Sequence, residues 1–564
     1  MNQETITGGE AVYRVLCDQG IASVFGLLGG SMLELYDAMH RGRQIQYIGA
    51  RDERAAGHMA DAYARVTGGP GVVLGAQAGP GVVNLATAVA EAYLAYSPLL
   101  VIAGAVSRCD LGKDTFQEVD QVALFAPICK RSLMVNDPGR LVGMLRDALR
   151  LAMSGRRGPV VLHVPRDIFA ARVEPPGTGA VQPARPGQPT GADLDRIIGA
   201  VEAAGAPVII AGGGVKWANG SRALCRLADS LQIPVVASTG HADLMPHGHP
   251  LFAGQGGPRG NRVASQLTRN ADLLLVIGSR LAFNSTFHSH DYICAHADIV
   301  QIDIDASAIG RYFPVMHGIQ CDALAAMNAL QERIDAGKHL RCRYRDWRDR
   351  FLRDWSGLVK ERQAEAEIDT VPLDPKRVLA EIRESLPEEA IVTLDTGNAC
   401  LQAADRLAHY QAPGLITPLD FGLVGFGYAA AIGARAAAPH RPVISIMGDG
   451  GFGFTVSEIT TAVRHGLPVI AVILDNGAWG AEKAYQNEFF GGRILGAEID
   501  SPAYDRIAQL CGAAGYTAAR PGEVRAALER ATARNEPAVI HVKIDPGALS
   551  TLRKDLFRPA GASS

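Results

Sequence analysis

The stretch from residue 441 to 479 reads RPVISIMGDGGFGFTVSEITTAVRHGLPVIAVILDNGAW. It contains two short apolar runs, Pro442–Met447 and Pro468–Leu474, on either side of a helix-like segment, Thr455–His465. Continuous apolar runs bounded by Gly or Pro are typical of buried parallel strands. Because parallel strands need a long crossover between them, the stretch predicts one strand–helix–strand unit of an α/β sheet.

The same alternation of apolar runs and amphipathic stretches recurs along the whole chain. The runs are PGVVLGAQ at 70–77 and SPLLVIAGA at 97–105, then APVIIAGGG at 206–214 and ADLLLVIGSR at 271–280. We therefore predict an α/β protein with three doubly wound, parallel-sheet domains. Ligands of such sheets bind at the carboxyl ends of the strands.

Two shifts in composition divide the chain of 564 residues. Residues 172–190 are rich in Pro and Gly and predict a linker, and residues 341–371 are charged and helix-prone and predict a second one. The predicted domains cover the three remaining segments. These segments are 1–171, 191–340 and 372–548, followed by a tail or lid at 549–564.

The composition excludes several classes of protein. Lys and Arg number 55 and Asp and Glu 58, so the net charge of −3 argues against a nucleic-acid binder. The nine cysteines are scattered without a C-x-x-C pair, which argues against a zinc ribbon and a disulfide framework. The start, MNQETITGGE, does not resemble a signal peptide, and polar residues interrupt the most apolar region. We expect a cytoplasmic protein without membrane spans.

Polar residues follow both strands of the opening stretch. The first strand ends in Gly448-Asp449-Gly450 and the second in Asp475-Asn476. Carboxylate and amide oxygens suit Mg²⁺ that phosphate oxygens also bind, so Asp449 and Asn476 are candidate metal ligands, with the carbonyl of Ala478 as a third. The glycines would let phosphates approach the backbone. A G-D-G sequence on its own is also typical of a simple turn.

This motif resembles the diphosphate-binding motif of thiamine-diphosphate enzymes, although Asp475 stands where that family usually has Asn. The resemblance implies thiamine diphosphate and Mg²⁺ as cofactors. Residues 51–65, RDERAAGHMADAYAR, are similar to the family's glutamate motif. By that likeness Glu53 is catalytic and shares a proton with the aminopyrimidine ring. Alone, Glu53 would be one solvated charge in an Arg-Asp-Glu-Arg run.

Three glycine-rich stretches are similar to loops of the family that lie near the substrate or the cofactor, and each is weak evidence by itself. They are VFGLLGGS at 24–31, GPGVVN at 79–84 and DFGLVGFG at 420–427. The resemblance implies that Gly422 offers a carbonyl to the cofactor and that Val424 holds its two rings in a bent shape. The implied cofactor-binding residues are Asn84, Gly422, Val424, Gly448, Gly450, Gly29 and Gly30.

The middle segment resembles the central domain of acetolactate synthases. Relatives bind FAD there, or ADP, or nothing. Asp303 or Asp305 is placed after a strand to hold a ribose or adenine, and the alternative is that both are turn residues. By the same resemblance, 1–171 is the pyrimidine-binding domain, 191–340 the central nucleotide-binding-like domain and 372–548 the diphosphate- and Mg-binding domain.

Two stretches near the expected substrate pocket resemble different members of the family. FQEVDQ at 116–121, with Gln117, is similar to acetolactate synthases, whereas NGAWGAEK at 476–483 is similar to sulfoacetaldehyde acetyltransferases, which expel sulfite and transfer an acetyl group to phosphate. We single out Gln117, Trp479, Glu482, Lys483 and Arg553 as candidate substrate residues. The basic stretch around Arg553 is either a lid or a frayed tail.

The sequence thus predicts a thiamine-diphosphate- and Mg-dependent transferase or lyase of the acetolactate synthase family, acting through an acyl-carbanion intermediate. The specific prediction is a sulfoacetaldehyde acetyltransferase type. The alternatives are condensation of 2-oxo acids, as in acetolactate synthase, and C–C cleavage, as in 2-hydroxyacyl-CoA lyase and oxalyl-CoA decarboxylase. The substrate would be a 2-oxo acid, sulfoacetaldehyde or an acyl-CoA. The resemblance implies a homodimer or homotetramer with active sites between subunits.

A non-catalytic paralogue that binds nucleotide and regulates a partner is a different class of protein. The loss of the glutamate or of the metal ligands would indicate it, but Glu53, Asp449 and Asn476 are all present.

Overall fold

A computed structural model describes residues 5–184, 186–337 and 343–551. Within these ranges the chain forms three six-stranded sheets whose strands all run parallel. The first sheet lies in the N-terminal third of the chain, the second in the middle and the third in the C-terminal third. Three α/β domains with parallel sheets were predicted, and the structure confirms them.

The first domain has the strand order β3-β2-β4-β5-β7-β6. A separate antiparallel pair joins β1 to β8. The strands are β1 Ile6–Thr7, β2 Ser23–Leu27, β3 Gln46–Gly49, β4 Gly71–Gly75, β5 Leu99–Ala105, β6 Arg131–Met134, β7 Val160–Pro165 and β8 Arg172–Val173. The helices are α1 Gly8–Asp18, α2 Leu33–Gly42, α3 Glu53–Thr67, α4 Pro80–Asn84, α5 Ala86–Leu94, α6 Gln121–Phe125, α7 Leu141–Met153 and α8 Arg166–Ala170.

The second domain has the order β11-β10-β9-β12-β13-β14. Its strands are β9 Pro207–Ala211, β10 Val235–Ala237, β11 Phe252–Gln255, β12 Leu273–Ile277, β13 Asp298–Asp303 and β14 His317–Gln320. Its helices are α9 Gly191–Ala203, α10 Gly213–Trp217, α11 Ser221–Leu231, α12 Arg262–Asn270, α13 Phe283–Thr286 and α14 Ala323–Asp335.

The residues between the second and third domains include one long helix, α15 Arg345–Glu365. Phe351 and Leu358 of this helix are buried in the core of the second domain. The charged stretch predicted as a linker at 341–371 therefore contributes a packed helix. Earlier in the chain, residues 172–190 start with β8, which pairs with β1.

The third domain has the order β16-β15-β17-β18-β20-β19. Its strands are β15 Ile391–Leu394, β16 Leu415–Ile416, β17 Val443–Gly448, β18 Val469–Asp475, β19 Ala514–Ala518 and β20 Ala538–Lys543. Its helices are α16 Pro375–Ser385, α17 Asn398–Arg406, α18 Gly427–Ala437, α19 Asp449–Gly453, α20 Ile459–Arg464, α21 Gly480–Phe489, α22 Tyr504–Leu510 and α23 Glu523–Arg534.

Helix α3 of the first domain packs closely against helix α18 of the third. A Cβ atom on Gly433 would overlap the carbonyl oxygen of Met59, so glycine permits the contact. The residues of both helices belong to one apolar core that also includes parts of both sheets. Among the helices of the described residues, none is both long and apolar enough to cross a bilayer.

Candidate active site

The opening stretch forms the strands that its apolar runs predict, each shifted by one residue. Strands β17 and β18 are parallel neighbours, and Gly448 lies opposite Leu474. Asp449 and Asp475 follow these paired positions at the carboxyl edge of the sheet. A helix was expected at 455–465, but helical structure begins at Asp449 with α19, continues as a 3₁₀ turn at Val456–Glu458, and ends with α20.

Asp449 is almost completely buried, with 1% of its surface exposed. The Ser501 hydroxyl donates a hydrogen bond of 2.6 Å to its Oδ2, and the Tyr504 hydroxyl donates one of 2.8 Å to its backbone carbonyl. Burial, followed by the charge of Asp475, raises the pKa of Asp449 to about 6. A cation at this position would favour the ionised carboxylate.

Asp475 is held by a polar network of one buried and one half-exposed basic side chain. Its Oδ2 lies 2.6 Å from His541 Nε2 and also accepts a hydrogen bond from the Lys543 ammonium, while Oδ1 accepts one of 2.9 Å from the Gly477 amide. Burial would raise the pKa of Asp475, but these bonds hold it below its usual range. Asp475, which stands where the family usually has Asn, is therefore paired with the basic side chains of His541 and Lys543. These two partners were not identified from the sequence.

The oxygens predicted as ligands at this edge are of the chemical type that a divalent cation prefers. They comprise the Asp449 carboxylate, the Asn476 side-chain amide and the Ala478 backbone carbonyl, a hard donor set of low charge. The Asn476 oxygen accepts a long hydrogen bond of 3.2 Å from the Ala478 amide. A Cβ atom on Gly448 would meet no atom within 4 Å, so open space lies beside the strand end. In the described residues, no cluster of three His, Cys, Asp or Glu is arranged around a metal site.

Trp479 forms a wall of this site. A Cβ atom on Gly450 would lie 2.8 Å from the indole ring, so glycine is required for the ring to pack there. The ring of Phe454 meets the indole edge-on at 6.2 Å. Gly450, which we singled out as a cofactor-binding residue, thus leaves room for the indole ring of Trp479.

The other candidate substrate residues near Trp479 lie further out. Lys483 is paired with Glu498 at 2.9 Å, and Glu482 is exposed. Arg553 falls outside the described residues. Near the end of the described chain, Ser550 exchanges hydrogen bonds with the side chain of Asn398, and both Asn398 and Asn476 adjoin Gly480.

The loop with Gly422 and Val424 lies next to helix α19. The buried Asp395 accepts hydrogen bonds from the amides of Gly425 and Phe426, and burial raises the pKa of Asp395 to about 6. A Cβ atom on Gly451 would lie 2.5 Å from the same carboxylate. Asp395 therefore joins the predicted loop to the G-D-G segment, a role that its sequence context did not reveal.

Glu53 begins helix α3 in the first domain. The Asp52 side chain caps this helix by accepting hydrogen bonds from the amides of Arg54 and Ala55. Glu53 is buried, with 9% exposed, and its Oε2 accepts a hydrogen bond of 3.0 Å from the Asn84 amide. A Cβ atom on Gly81 would lie 2.8 Å from Oε1. The structure therefore brings together two of the residues that we singled out.

The remaining candidates of the first domain adjoin this pair. The Gly30 amide donates a hydrogen bond of 3.1 Å to the Gln77 side chain, which in turn donates to Gln117. Gly29 approaches the backbone of Ala76 so closely that a Cβ atom would lie 2.5 Å from its carbonyl carbon. Three loops therefore meet at Gln77, whose side chain also adjoins Gly81.

The candidates around Glu53 belong to the first domain and those around Asp449 to the third. These two domains are in contact within one chain. The amide of Arg51 donates a hydrogen bond of 2.9 Å to the buried carboxylate of Glu458. The guanidinium of Arg54 donates one of 3.2 Å to the Phe454 carbonyl. The residues on either side of Glu53 are thus anchored on the segment that follows Asp449.

A cavity of about 230 Å³ lies at the carboxyl ends of the strands of the second domain, and residues of the first and third domains also line it. Asp303 and Asp305 both line it, together with glycines 212–214. Arg156 lies over the Tyr96 ring at 4.1 Å and pairs with Asp305 at 3.6 Å. Burial raises the pKa of Asp303 to about 6. Both acidic residues are where a nucleotide would bind in such a sheet.

Comparison with known proteins identifies the class. Three family models match the chain: the thiamine pyrophosphate enzyme N-terminal TPP binding domain at 6–124, the central domain at 194–330 and the C-terminal TPP binding domain at 395–542. The chain belongs to the thiamine pyrophosphate enzymes, and it is an acetolactate synthase-like enzyme that uses this cofactor.

Individual relatives align along nearly their whole length. A sulfoacetaldehyde acetyltransferase of Castellaniella defragrans is 33% identical over 94% of this chain and 91% of its own. A probable acetolactate synthase large subunit of Methanocaldococcus jannaschii is 32% identical over 96% of this chain and 92% of its own. The acetolactate synthase isozyme 3 large subunit of Escherichia coli is 31% identical over 94% and 92%.

Proposed function

We propose that Asp449, Asn476 and the Ala478 carbonyl hold Mg²⁺ and that Glu53 activates thiamine diphosphate. When bound, this cofactor supplies a carbon centre that stabilises negative charge on the carbonyl carbon of a substrate. The buried Glu53, oriented by Asn84, is placed to hold a proton against the cofactor's pyrimidine ring. Glu53 and Asp449 are both buried, with 9% and 1% of their surfaces exposed, so each would act in surroundings of low polarity.

We propose further that the enzyme transfers an acetyl group from sulfoacetaldehyde to phosphate. The observation that carries this proposal is the position of Trp479 against Gly450, beside Asp449. The stretch 476–483 that includes Trp479 resembles sulfoacetaldehyde acetyltransferases, and a relative of that name aligns over 94% of the chain. An indole at this position shapes the substrate side of the site, so it is suited to select the donor.

The test supplies sulfoacetaldehyde and phosphate to the enzyme with thiamine diphosphate and Mg²⁺. Stoichiometric release of sulfite and acetyl phosphate is the expected result. Trp479→Leu should reduce this rate at least tenfold while keeping cofactor affinity, and Trp347→Leu, in helix α15, is the control that should change neither. Bound cofactor without either product would refute the acetyl-transfer proposal and leave the family assignment intact.

Condensation of 2-oxo acids is the second candidate. It is favoured by the position of Gln117, which contacts Gln77 next to the Glu53 pocket, and by acetolactate synthase subunits among the relatives. Formation of acetolactate from pyruvate under the same conditions would support it. Cleavage of a 2-hydroxyacyl-CoA, the lyase alternative, is measured in parallel.

We propose a homodimer or homotetramer in which the Glu53 half of one subunit meets the Asp449 half of another. Exposed apolar side chains border both halves: Leu28 and Phe116 are 66% and 85% exposed, and Phe421 and Phe454 are 48% and 46% exposed. Such side chains favour burial against a partner. Mass photometry should show a dimer or larger, and a monomer active at all concentrations would contradict the proposal.

We also propose that the central cavity holds ADP or FAD, with Asp303 or Asp305 toward the ribose. Heat denaturation of the purified protein should release a nucleotide, and absorbance distinguishes a flavin from an adenine nucleotide. We retain the domain limits 1–171, 191–340 and 372–548, and a cytoplasmic location, as proposals from the sequence.

A further inference from the structure

We infer that Gln121 is a positioning residue for Glu53 and acts through residues 77–84, here called the Gly79 loop. This inference rests on the proposed catalytic role of Glu53. Gln121 begins helix α6 at the carboxyl edge of the first sheet and is 4% exposed.

The side-chain amide of Gln121 connects the Gly79 loop to the sheet. Its Oε1 accepts a hydrogen bond of 2.8 Å from the Gly79 amide. Its Nε2 donates one of 3.0 Å to the carbonyl of Gly104, the penultimate residue of β5, and lies 3.2 Å from His163 Nδ1. All of these groups are buried, so each lost bond would leave an unsatisfied polar group.

The neighbours of Gln121 leave only one orientation for its amide. The Gly79 N–H requires an acceptor, and the Gly104 carbonyl requires a donor. Burial lowers the pKa of His163 to about 4, so its imidazole is neutral near pH 7. Its Nδ1 can then accept from Gln121 while its Nε2 donates to the Ser132 hydroxyl at 2.9 Å.

The backbone of the Gly79 loop is in a conformation that needs support. Gly79 has φ +69° and ψ −104°, and a Cβ atom there would overlap the Gln117 carbonyl oxygen. Gln117 itself has φ +68°, which is unusual for a residue with a side chain. Backbone in such regions persists only where the surroundings hold it, and the Gln121 bond is one such restraint.

The Gly79 loop in turn contacts both oxygens of Glu53. The Gly79 carbonyl accepts the first helical hydrogen bond of α4, from the Val83 amide. Along this short helix, Gly81 faces Oε1 of Glu53 and Asn84 donates to Oε2. A shift of Gly79 would therefore move both groups that orient the carboxylate.

The test compares Gln121→Leu with the wild type, each loaded with thiamine diphosphate and Mg²⁺. The readout is hydrogen–deuterium exchange at C2 of the bound cofactor, followed by NMR after acid quenching, because this exchange reports proton control at the cofactor without any substrate. We expect the exchange rate and kcat to fall about tenfold or more, whereas Kd for the cofactor stays within about threefold.

Gln301→Leu is the matched control. Gln301 is also buried, accepts a hydrogen bond from the Gly310 amide and donates to two backbone carbonyls, but it lies in the second domain. We expect it to lower the unfolding temperature about as much as Gln121→Leu and to leave the C2 exchange rate unchanged. If Gln121→Leu does not fold, Gln121→Asn, which is too short to reach both backbone groups, replaces it with the same expectation.

Exchange at the wild-type rate in the Gln121 variant would overturn the inference, as would equal slowing in Gln301→Leu. Glu53→Gln separates this result from a failure of the proposed function. If Glu53→Gln slows exchange and Gln121→Leu does not, only the positioning role is refuted. If Glu53→Gln exchanges at the wild-type rate, the proposed catalytic role is refuted.

Discussion

At the scale of single residues, the site depends on carboxylates whose surroundings differ. Glu53 is held by an amide donor, Asp449 by a hydroxyl donor, and Asp475 by an imidazole and an ammonium group. In the proposed function, the same functional group therefore holds a proton, binds a cation or organises neighbouring residues. Burial and hydrogen-bond partners decide which of these roles each one has.

Glu53→Gln should keep the fold and the cofactor but reduce turnover at least about a hundredfold, because an amide cannot share the proton that a carboxyl group holds. Steady-state kinetics and cofactor calorimetry measure the two properties. The control is Asp37→Asn, the same exchange of acid for amide at an exposed carboxylate paired with Arg41, and it should have no effect. Turnover within a few-fold of wild type in Glu53→Gln would contradict the mechanism.

Asp449→Ala should abolish Mg²⁺-dependent binding of thiamine diphosphate, because it removes the one carboxylate of the proposed ligand set. Isothermal titration calorimetry with and without Mg²⁺ measures this. Ser501→Ala, which removes only the hydrogen bond to that carboxylate, should weaken binding about tenfold at most. Equal affinities of Asp449→Ala and the wild type would show that the metal is bound elsewhere.

At the scale of elements, the contact between α3 and α18 joins the first domain to the third. Helix α3 begins at Glu53 and presents Met59 to Gly433 of α18. Glycine in a helix costs roughly 0.5–1 kcal/mol relative to alanine. Its presence at 433 is explained by the close approach of the two backbones.

Gly433→Ala should lower the unfolding temperature by several degrees, because the added methyl group overlaps the Met59 carbonyl and must push the helices apart. Gly143→Ala is the matched control: Gly143 lies in helix α7, where a Cβ atom would meet nothing within 4 Å. That substitution should be neutral or stabilising. Thermal unfolding monitored by circular dichroism compares them, and an equal or higher unfolding temperature in Gly433→Ala would contradict the packing argument.

At the scale of the whole molecule, Glu458 joins the third domain to the first. Its carboxylate is fully buried, receives the Arg51 amide and the Thr461 hydroxyl, and its pKa is raised to about 7 by burial. Ionisation of Glu458 therefore costs the folded state free energy. This cost is absent below pH 4.5, grows as the pH rises toward 7, and is constant above pH 7.

Glu458→Gln should consequently remove part of the pH dependence of stability. Between pH 4.5 and 7, the free energy of unfolding of the wild type should fall by up to roughly 3 kcal/mol because of Glu458. In Glu458→Gln this contribution should be absent. The difference in unfolding temperature between the two proteins, measured at pH 5 and at pH 8, tests this. A difference that is the same at both pH values would show that Glu458 is not protonated in the folded protein at low pH.

The strands of the site were predictable because their signal is local. Pro442–Met447 and Pro468–Leu474 differ from β17 and β18 by one residue at each end. Parallel pairing then places Asp449 beside Asp475. The helix that starts at Asp449 was not predicted, because three of its five residues are glycines and it has no apolar periodicity. A tertiary hydrogen bond from Tyr504 stabilises it instead.

The sequence by itself determined the three α/β domains and the cofactor class, because apolar periodicity and short motifs are written in neighbouring positions. It also predicts the residues of the two half-sites, around Glu53 and around Asp449. Only the tertiary structure decided which side chains surround them. His541 and Lys543 reach Asp475 through the pairing of β18 with β20, Gln121 reaches Gly79 across the sheet edge, and Glu458 reaches Arg51 across a domain boundary. These partners lie far apart in sequence, and packing of the buried sheets brings them within hydrogen-bond distance.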